Sequence, residues 1–246
     1  AINFSVIDID EPAILTTSTS ATSFAEDSLT GINIGTASAT DPEGKTVTFS
    51  LSGTGSENFS VDSSGNISLV NALDYETATS FTLALNASDG VNTSTSELII
   101  TVDDVNEAPS LTNALAASSF AENVSTGTTI ATASASDPES QAITYSLSGT
   151  GSGNFAVDSS GNITLAAGLD YETATSYSLT LSASDGVNTT TNTLAISISD
   201  VNEAPSLTNS LASSSFAENV ATGTTIATAS ASDPEAQSIT YSLSGT

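Results

Sequence analysis

The amino-acid sequence predicts an all-β chain of tandem seven-stranded Greek-key β-sandwiches that repeat every 96 residues. Three observations carry that prediction: an internal repeat, an apolar–polar alternation of period two, and turn-forming residues between the alternating runs. The repeat is the strongest of the three. Phe24-Ala25-Glu26 returns as Phe120-Ala121-Glu122 and Phe216-Ala217-Glu218, a step of 96 each time. Asp41-Pro42-Glu43 returns at Asp137 and Asp233, Leu73-Asp74-Tyr75-Glu76 at Leu169, and Ser88-Asp89-Gly90 at Ser184. Asp104-Val105-Asn106-Glu107-Ala108-Pro109 returns at Asp200, and a weaker form, Asp8-Ile9-Asp10-Glu11, stands near the start.

The phase of these motifs sets the domains. Residues 1–12 read as the last strand (Ile2 to Val6) and linker of a preceding repeat. Residues 13–108 and 109–204 are two full repeats, and 205–246 is the N-terminal part of a third. Only five positions differ between residues 110–150 and 206–246, all Ala/Ser exchanges, which points to recent duplication and to an internal segment of a longer array.

Within a repeat, Val47, Phe49 and Leu51 alternate with polar residues, as do Phe81, Leu83 and Leu85. In the second copy the same holds for Ile143, Tyr145 and Leu147, for Tyr177, Leu179 and Leu181, and for Leu194, Ile196 and Ile198. A side chain at every second position faces the same side of a sheet, so each run reads as a half-buried strand. Asp158-Ser159-Ser160-Gly161-Asn162 is a turn between two short strands, Phe155-Val157 and Ile163-Leu165. About seven short strands in a repeat of this length is the count of an immunoglobulin-like sandwich. No stretch has helical periodicity.

Composition excludes most chemistry. The chain has no Cys, His, Met or Trp and one cation, Lys45. It therefore lacks an imidazole base, a thiol nucleophile and the soft ligands of zinc, copper and iron sites. A glycosidase with paired carboxylates is disfavoured too, because the acids recur at one phase in tandem copies. Oxygen donors remain, and an all-oxygen set suits calcium. A formal charge of −27 opposes binding to nucleic acid or anionic lipid. No apolar run approaches a membrane span, so direct membrane insertion of this segment is not expected.

The placement of the carboxylates is the most informative feature. All of the 28 except Asp27, Glu57, Asp62, Glu97, Asp103 and Asp158 fall in the recurring motifs, at loops and strand ends. Outward strand positions carry Ser and Thr instead. Clustered anions without cations are an electrostatic cost that a bound cation would offset.

These motifs resemble cadherin repeats, in the bacterial cadherin-like form, along the whole chain. The resemblance implies calcium held between successive repeats and a rod of linked sandwiches. At the first full linker it assigns Glu26, Asp74, Glu76, Asp104, Asn106, Glu107, Asp137, Glu139 and Asp185 as ligands. At the second it assigns Glu122, Asp170, Glu172, Asp200, Asn202, Glu203, Asp233 and Glu235, with Glu218 at the matching phase of the third copy. At the leading linker Asp8, Asp10 and Glu11 face Asp41, Glu43 and Asp89. Tyr75 and Tyr171 stand where the family has Arg, and the linker is one residue shorter than the family's.

The implied function is structural: a calcium-stiffened stalk in a large secreted or surface-anchored bacterial adhesin, biofilm protein or extracellular filament, with no enzymatic activity. The expected partners are flanking repeats of the same polypeptide and identical chains in a filament or biofilm matrix. An alternative from a different class makes the repeats themselves a binding module for polysaccharide or partner repeats. Extracellular modules of this kind bind calcium with Kd of about 10⁻⁴–10⁻³ M.

Overall fold

The computed structural model describes residues 3–5, 7–19 and 23–245, and the chain divides into two units, Ala1–Glu107 and Ala108–Thr246. The first unit contains β1 (Ile14–Thr19), β2 (Ser23–Ala25), β3 (Asn33–Thr40), β4 (Thr48–Ser52), β5 (Phe59–Val61), β6 (Asn66–Leu69), β7 (Ser80–Ser88) and β8 (Thr93–Asp103). They form two four-stranded sheets, β1-β3-β6-β5 and β2-β8-β7-β4, a Greek-key order. Every pairing is antiparallel except that of β2 with β8.

The second unit repeats this plan with β9 (Ser110–Leu115), β10 (Phe120–Ala121), β11 (Thr129–Ser136), β12 (Thr144–Ser148), β13 (Phe155–Val157), β14 (Asn162–Leu165), β15 (Ser176–Ser184) and β16 (Thr189–Ser199). Among the described residues each repeat thus has eight strands where the sequence pattern reads about seven. The difference lies at the opening segment, which gives one strand to each sheet: β9 pairs with β11, and β10 pairs in parallel with β16.

The alternation explains the register. In β7 and β8, Phe81, Leu83 and Leu85 lie across from Ile100, Leu98 and Ser96, and a slip of one residue would turn the apolar set outward. In the second unit Leu179, Leu181, Leu194 and Ile196 face Ile130, Ile163, Leu165 and Phe155 from the other sheet, all buried. Burying each such Leu or Ile contributes roughly 1.5–3 kcal/mol. An edge-to-face aromatic pair recurs in both units, Phe59 with Phe81 and Phe155 with Tyr177, each with ring centroids 5.3 Å apart.

The turn at Asp158–Asn162 shows why some acids stand outside the recurring motifs. Asp158 accepts hydrogen bonds from the Ser160 N–H (2.9 Å), the Asn162 N–H (2.8 Å) and Asn162 Nδ2 (2.8 Å). Those donors, the Asn162 side chain first, hold Asp158 below the usual carboxylate range. Gly161 has φ of +81°, and a Cβ there would run into the Ala133 carbonyl of β11. Only glycine fits that turn at this distance from the sheet.

Residues 3–5 and 7–12 carry no strand, and Ile2 and Val6, part of the strand read from the sequence, lie outside the described residues. The third copy contributes β17 (Ser206–Leu211) paired antiparallel with β18 (Ala227–Ser232). Leu207, Leu211, Ile226, Tyr241 and Leu243 of this segment are exposed, and the alternating run at Ile239–Leu243 is not in a strand. Among the described residues no helix is long and apolar enough to cross a membrane.

Candidate metal centres

Glu122 begins the candidate site of the second unit. It follows β10, and the pairing of β10 with β16 continues through the Glu122 N–H to the Ser199 carbonyl (3.1 Å). This places a carboxylate that is only 5% exposed at one end of the sandwich. Its Oε2 accepts from the Tyr171 N–H (2.7 Å) and its Oε1 from the Val201 N–H (2.7 Å). Glu26 is built identically in the first unit, accepting from the Tyr75 N–H (2.6 Å) and the Val105 N–H (2.8 Å). The anchoring glutamate therefore clamps the Leu-Asp-Tyr-Glu turn to the linker.

Around Glu122 the acids converge. Glu122, Glu172 and Glu203 each offer an oxygen within 4.8 Å of the other two, and so do Glu172, Asp200 and Glu235. The two groups share Glu172, which would contribute to holding a cation in either. The Glu203 N–H donates to Glu235 Oε1 (2.9 Å), while Oε2 of Glu203 and Oε2 of Glu235 are buried with no hydrogen-bond partner.

Crowding perturbs these groups. Glu203 is pushed up to about 7, first by the Glu235 carboxyl beside it, then by burial and the charges of Glu122 and Glu172. Glu235 is held lower, first by the Glu203 carboxyl and then by the Glu203 N–H. Burial, then the charges of Glu122, Asp200 and Glu235, raises Glu172.

The first unit holds two similar groups, Glu26-Glu76-Glu107 and Asp8-Glu11-Glu43. A hydrogen bond with Glu11, followed by burial, raises Glu43. Nearby, Asp41 accepts from the Glu43 and Lys45 amides, and Asp89 from the Val91 and Asn92 amides. Asp41 Oδ2 and Asp89 Oδ2 are buried without a partner.

These donors fit calcium: every one is an oxygen, several are orphaned, and hard cations take six to eight such ligands. A buried acceptor without a donor costs roughly 1–3 kcal/mol, more when charged, so a cation would relieve several penalties together.

Of the remaining sequence-assigned residues, Asp74 and Asp170 are placed differently. Both oxygens of Asp170 serve Thr173, through its N–H (3.0 Å) and hydroxyl (2.8 Å), and Asp74 does the same with Thr77. These two acids cap their own turns, outside the groups above. Asp104 offers an oxygen within 4.8 Å of one of Glu76. Asp137 has one oxygen on the Gln141 N–H (3.0 Å) and the other buried without a partner; Asp185 accepts from the Val187 and Asn188 amides. Glu139 is half-buried. Asn106 and Asn202 donate to the carbonyls of Glu107 and Glu203, Asp233 accepts from the Gln237 N–H, and Glu218 is exposed. Two features have no counterpart in the sequence reading: the backbone clamp made by Glu26 and Glu122, and the contact between Lys45 Nζ and Asp10 Oδ1.

The raised Glu203 predicts a pH dependence. Its value in the folded chain lies above the ordinary 4.5, so the metal-free fold binds the extra proton. Stability of the metal-free chain from this group should rise as pH falls from about 7 towards 4.5, and be lost as pH rises through 7. A calcium ion held by Glu203 would have to displace that proton. Its uptake in weak buffer near neutrality should therefore release protons, and affinity should fall below pH 7 by up to about one decade per pH unit. A calcium affinity flat between pH 6 and 8 would contradict this.

Comparison with known proteins gives a consistent result. A family profile for the cadherin domain matches residues 20–103 and 117–199. Mouse cadherin-related family member 1 is 34% identical over 200 residues, covering 74% of this chain and 23% of that protein. The Drosophila protocadherin-like wing polarity protein stan is 33% identical over 231 residues, covering 85% and 6%. This chain thus spans less than a quarter of either relative. Among solved structures, extracellular cadherin domains 3–6 of protocadherin gamma B2 align with a TM-score of 0.56 at 27% identity, covering 89% of this chain and 56% of that one.

Proposed function

Since the chain belongs to the cadherin domain family, we propose that it is a non-catalytic, calcium-dependent spacer in a large extracellular or cell-surface adhesion protein. The observation that carries this reading is the convergence of Glu122, Glu172, Asp200, Glu203 and Glu235 into two groups that share Glu172, with orphaned oxygens. Among the described residues Lys45 makes the one ion pair, at Asp10.

In the second unit Glu122, Glu172, Asp200, Glu203 and Glu235 would hold calcium. In the first unit Glu26, Glu76 and Glu107, and separately Asp8, Glu11 and Glu43, would do so. When bound, the ion supplies positive charge shared by acids from the sandwich, the linker and the following copy, which fixes the linker. Near-absence of Lys and Arg and near-identical copies favour a bacterial surface adhesin or filament as the parent protein. Its partners are then flanking repeats and identical chains.

Trypsin has one site in this chain, but a glutamate-specific protease has Glu107 and Glu203 within the linkers. Calcium should slow cleavage after Glu203 at least tenfold, because a linker fixed by metal opens less often. Equal cleavage rates in calcium and in chelator would refute the reading.

A further inference from the structure

The leading cluster differs from the others in one respect that its acids do not explain. Asp10 occupies the phase that Asn106 and Asn202 hold later, and Lys45 the phase of Gln141 and Gln237. The two exchanges come together, so an added carboxylate arrives with an added ammonium and the local charge is unchanged. The structure joins them: Lys45 Nζ contacts Asp10 Oδ1, where Gln237 Nε2 instead contacts Asn202 Oδ1.

Two further acids are tied to the same point. The Lys45 N–H donates to Asp41 Oδ1 (3.0 Å), so one residue links Asp41 and Asp10. Asn92 links Asp10 and Asp89: its Nδ2 donates to the Asp10 carbonyl (3.0 Å) and Oδ2 (3.1 Å), and its N–H to Asp89 Oδ1 (2.6 Å). Asp89 is only 9% exposed, and its Oδ2, like that of Asp41, is buried with no partner. Asp89 is held ionised first by the Asn92 and Val91 amides, with Lys45 adding to the effect. Asp8, Glu11 and Glu43 form their own group, which does not include Asp10.

We propose that the Lys45 ammonium is a built-in cation that takes the place of one divalent ion at Asp10, Asp41 and Asp89, so that the leading cluster binds one calcium fewer than its acids could hold. This rests on the calcium reading above. A better calcium ligand than Asn would need no lysine beside it; a tethered cation needs the extra carboxylate to hold it. The leading cluster is then partly neutralised at any calcium concentration, and the Asp8-Glu11-Glu43 group alone responds to the metal.

The test counts ions on the full chain by equilibrium dialysis with calcium, comparing wild type with Lys45→Gln, which restores the residue of the other copies, and Lys45→Arg. Lys45→Gln should bind one more calcium per chain than wild type, and Lys45→Arg the same number as wild type. In chelator Lys45→Gln should melt below wild type, and calcium should raise its melting temperature by more than it raises that of wild type. Calcium bound in wild type, with an unchanged count in Lys45→Gln, overturns this inference alone. A tighter Asp8-Glu11-Glu43 site without an added ion does so too, since it shows only relief of repulsion. No calcium bound by any variant overturns the underlying reading and this inference with it.

Discussion

Removing calcium from this chain is expected to lower its melting temperature by on the order of 10 °C or more. The size follows from linkage. A ligand that binds only the folded state, at a hundred times its dissociation constant, adds about 2.7 kcal/mol per site. For a domain of about 100 residues each kcal/mol moves the midpoint by roughly 4–8 °C. Crowding of the acids acts in the same direction, since burial and neighbouring charges raise Glu172, and the Glu235 carboxyl, burial and neighbouring charges raise Glu203. Scanning calorimetry in millimolar calcium and in chelator measures the difference. Magnesium should restore only part of it, because it demands a tighter octahedral shell and sheds water reluctantly. Identical melting curves with and without calcium would show that the acids serve solubility alone.

Strong local signals made most of the fold legible. The long alternations became β7, β8, β15 and β16, because one face of each must be buried against the other sheet and period two is the only pattern that allows it. The opening strand was harder. Residues 110–121 change sheets between Leu115 and Phe120, a choice made by tertiary packing that leaves no mark on a short run of small residues.

The candidate site divides in the same way. Motif periodicity found Glu122, Glu172, Asp200, Glu203 and Glu235, and the fold brings them together. It also singled out Asp74 and Asp170, whose oxygens are occupied by Thr77 and Thr173. That outcome had a readable signal. An Asp followed three residues later by Thr is a local capping pattern, in which the carboxylate serves its own backbone. The pairing of Lys45 with Asp10 spans 35 residues, and only the lone Lys at a Gln phase hints at it.

Glu122 and Asp200 should separate the two roles that acids play at this site. Glu122 is buried, and both of its oxygens accept backbone N–H groups, from Tyr171 and Val201. Hydrogen bonds to a charged acceptor contribute roughly 1.5–3 kcal/mol each, and truncation leaves both amides without a partner. Glu122→Ala should therefore destabilise the second repeat by about 3 kcal/mol or more even in chelator, and calcium should not rescue it. Glu122→Gln should fall between the two, since the amide keeps one acceptor and places an N–H against a donor. Asp200 is exposed and belongs to the Glu172-Asp200-Glu235 group. Asp200→Ala should change stability in chelator by less than about 0.5 kcal/mol, as surface substitutions do. Its effect should appear only in calcium, as a lost part of the metal's stabilisation. Urea unfolding midpoints of the three variants, each with and without calcium, read both quantities. If Asp200→Ala unfolds the repeat in chelator, the linker acids support the sandwich directly. If Glu122→Ala is silent there, the clamp between the turn and the linker contributes nothing, and the buried glutamate acts only as a ligand.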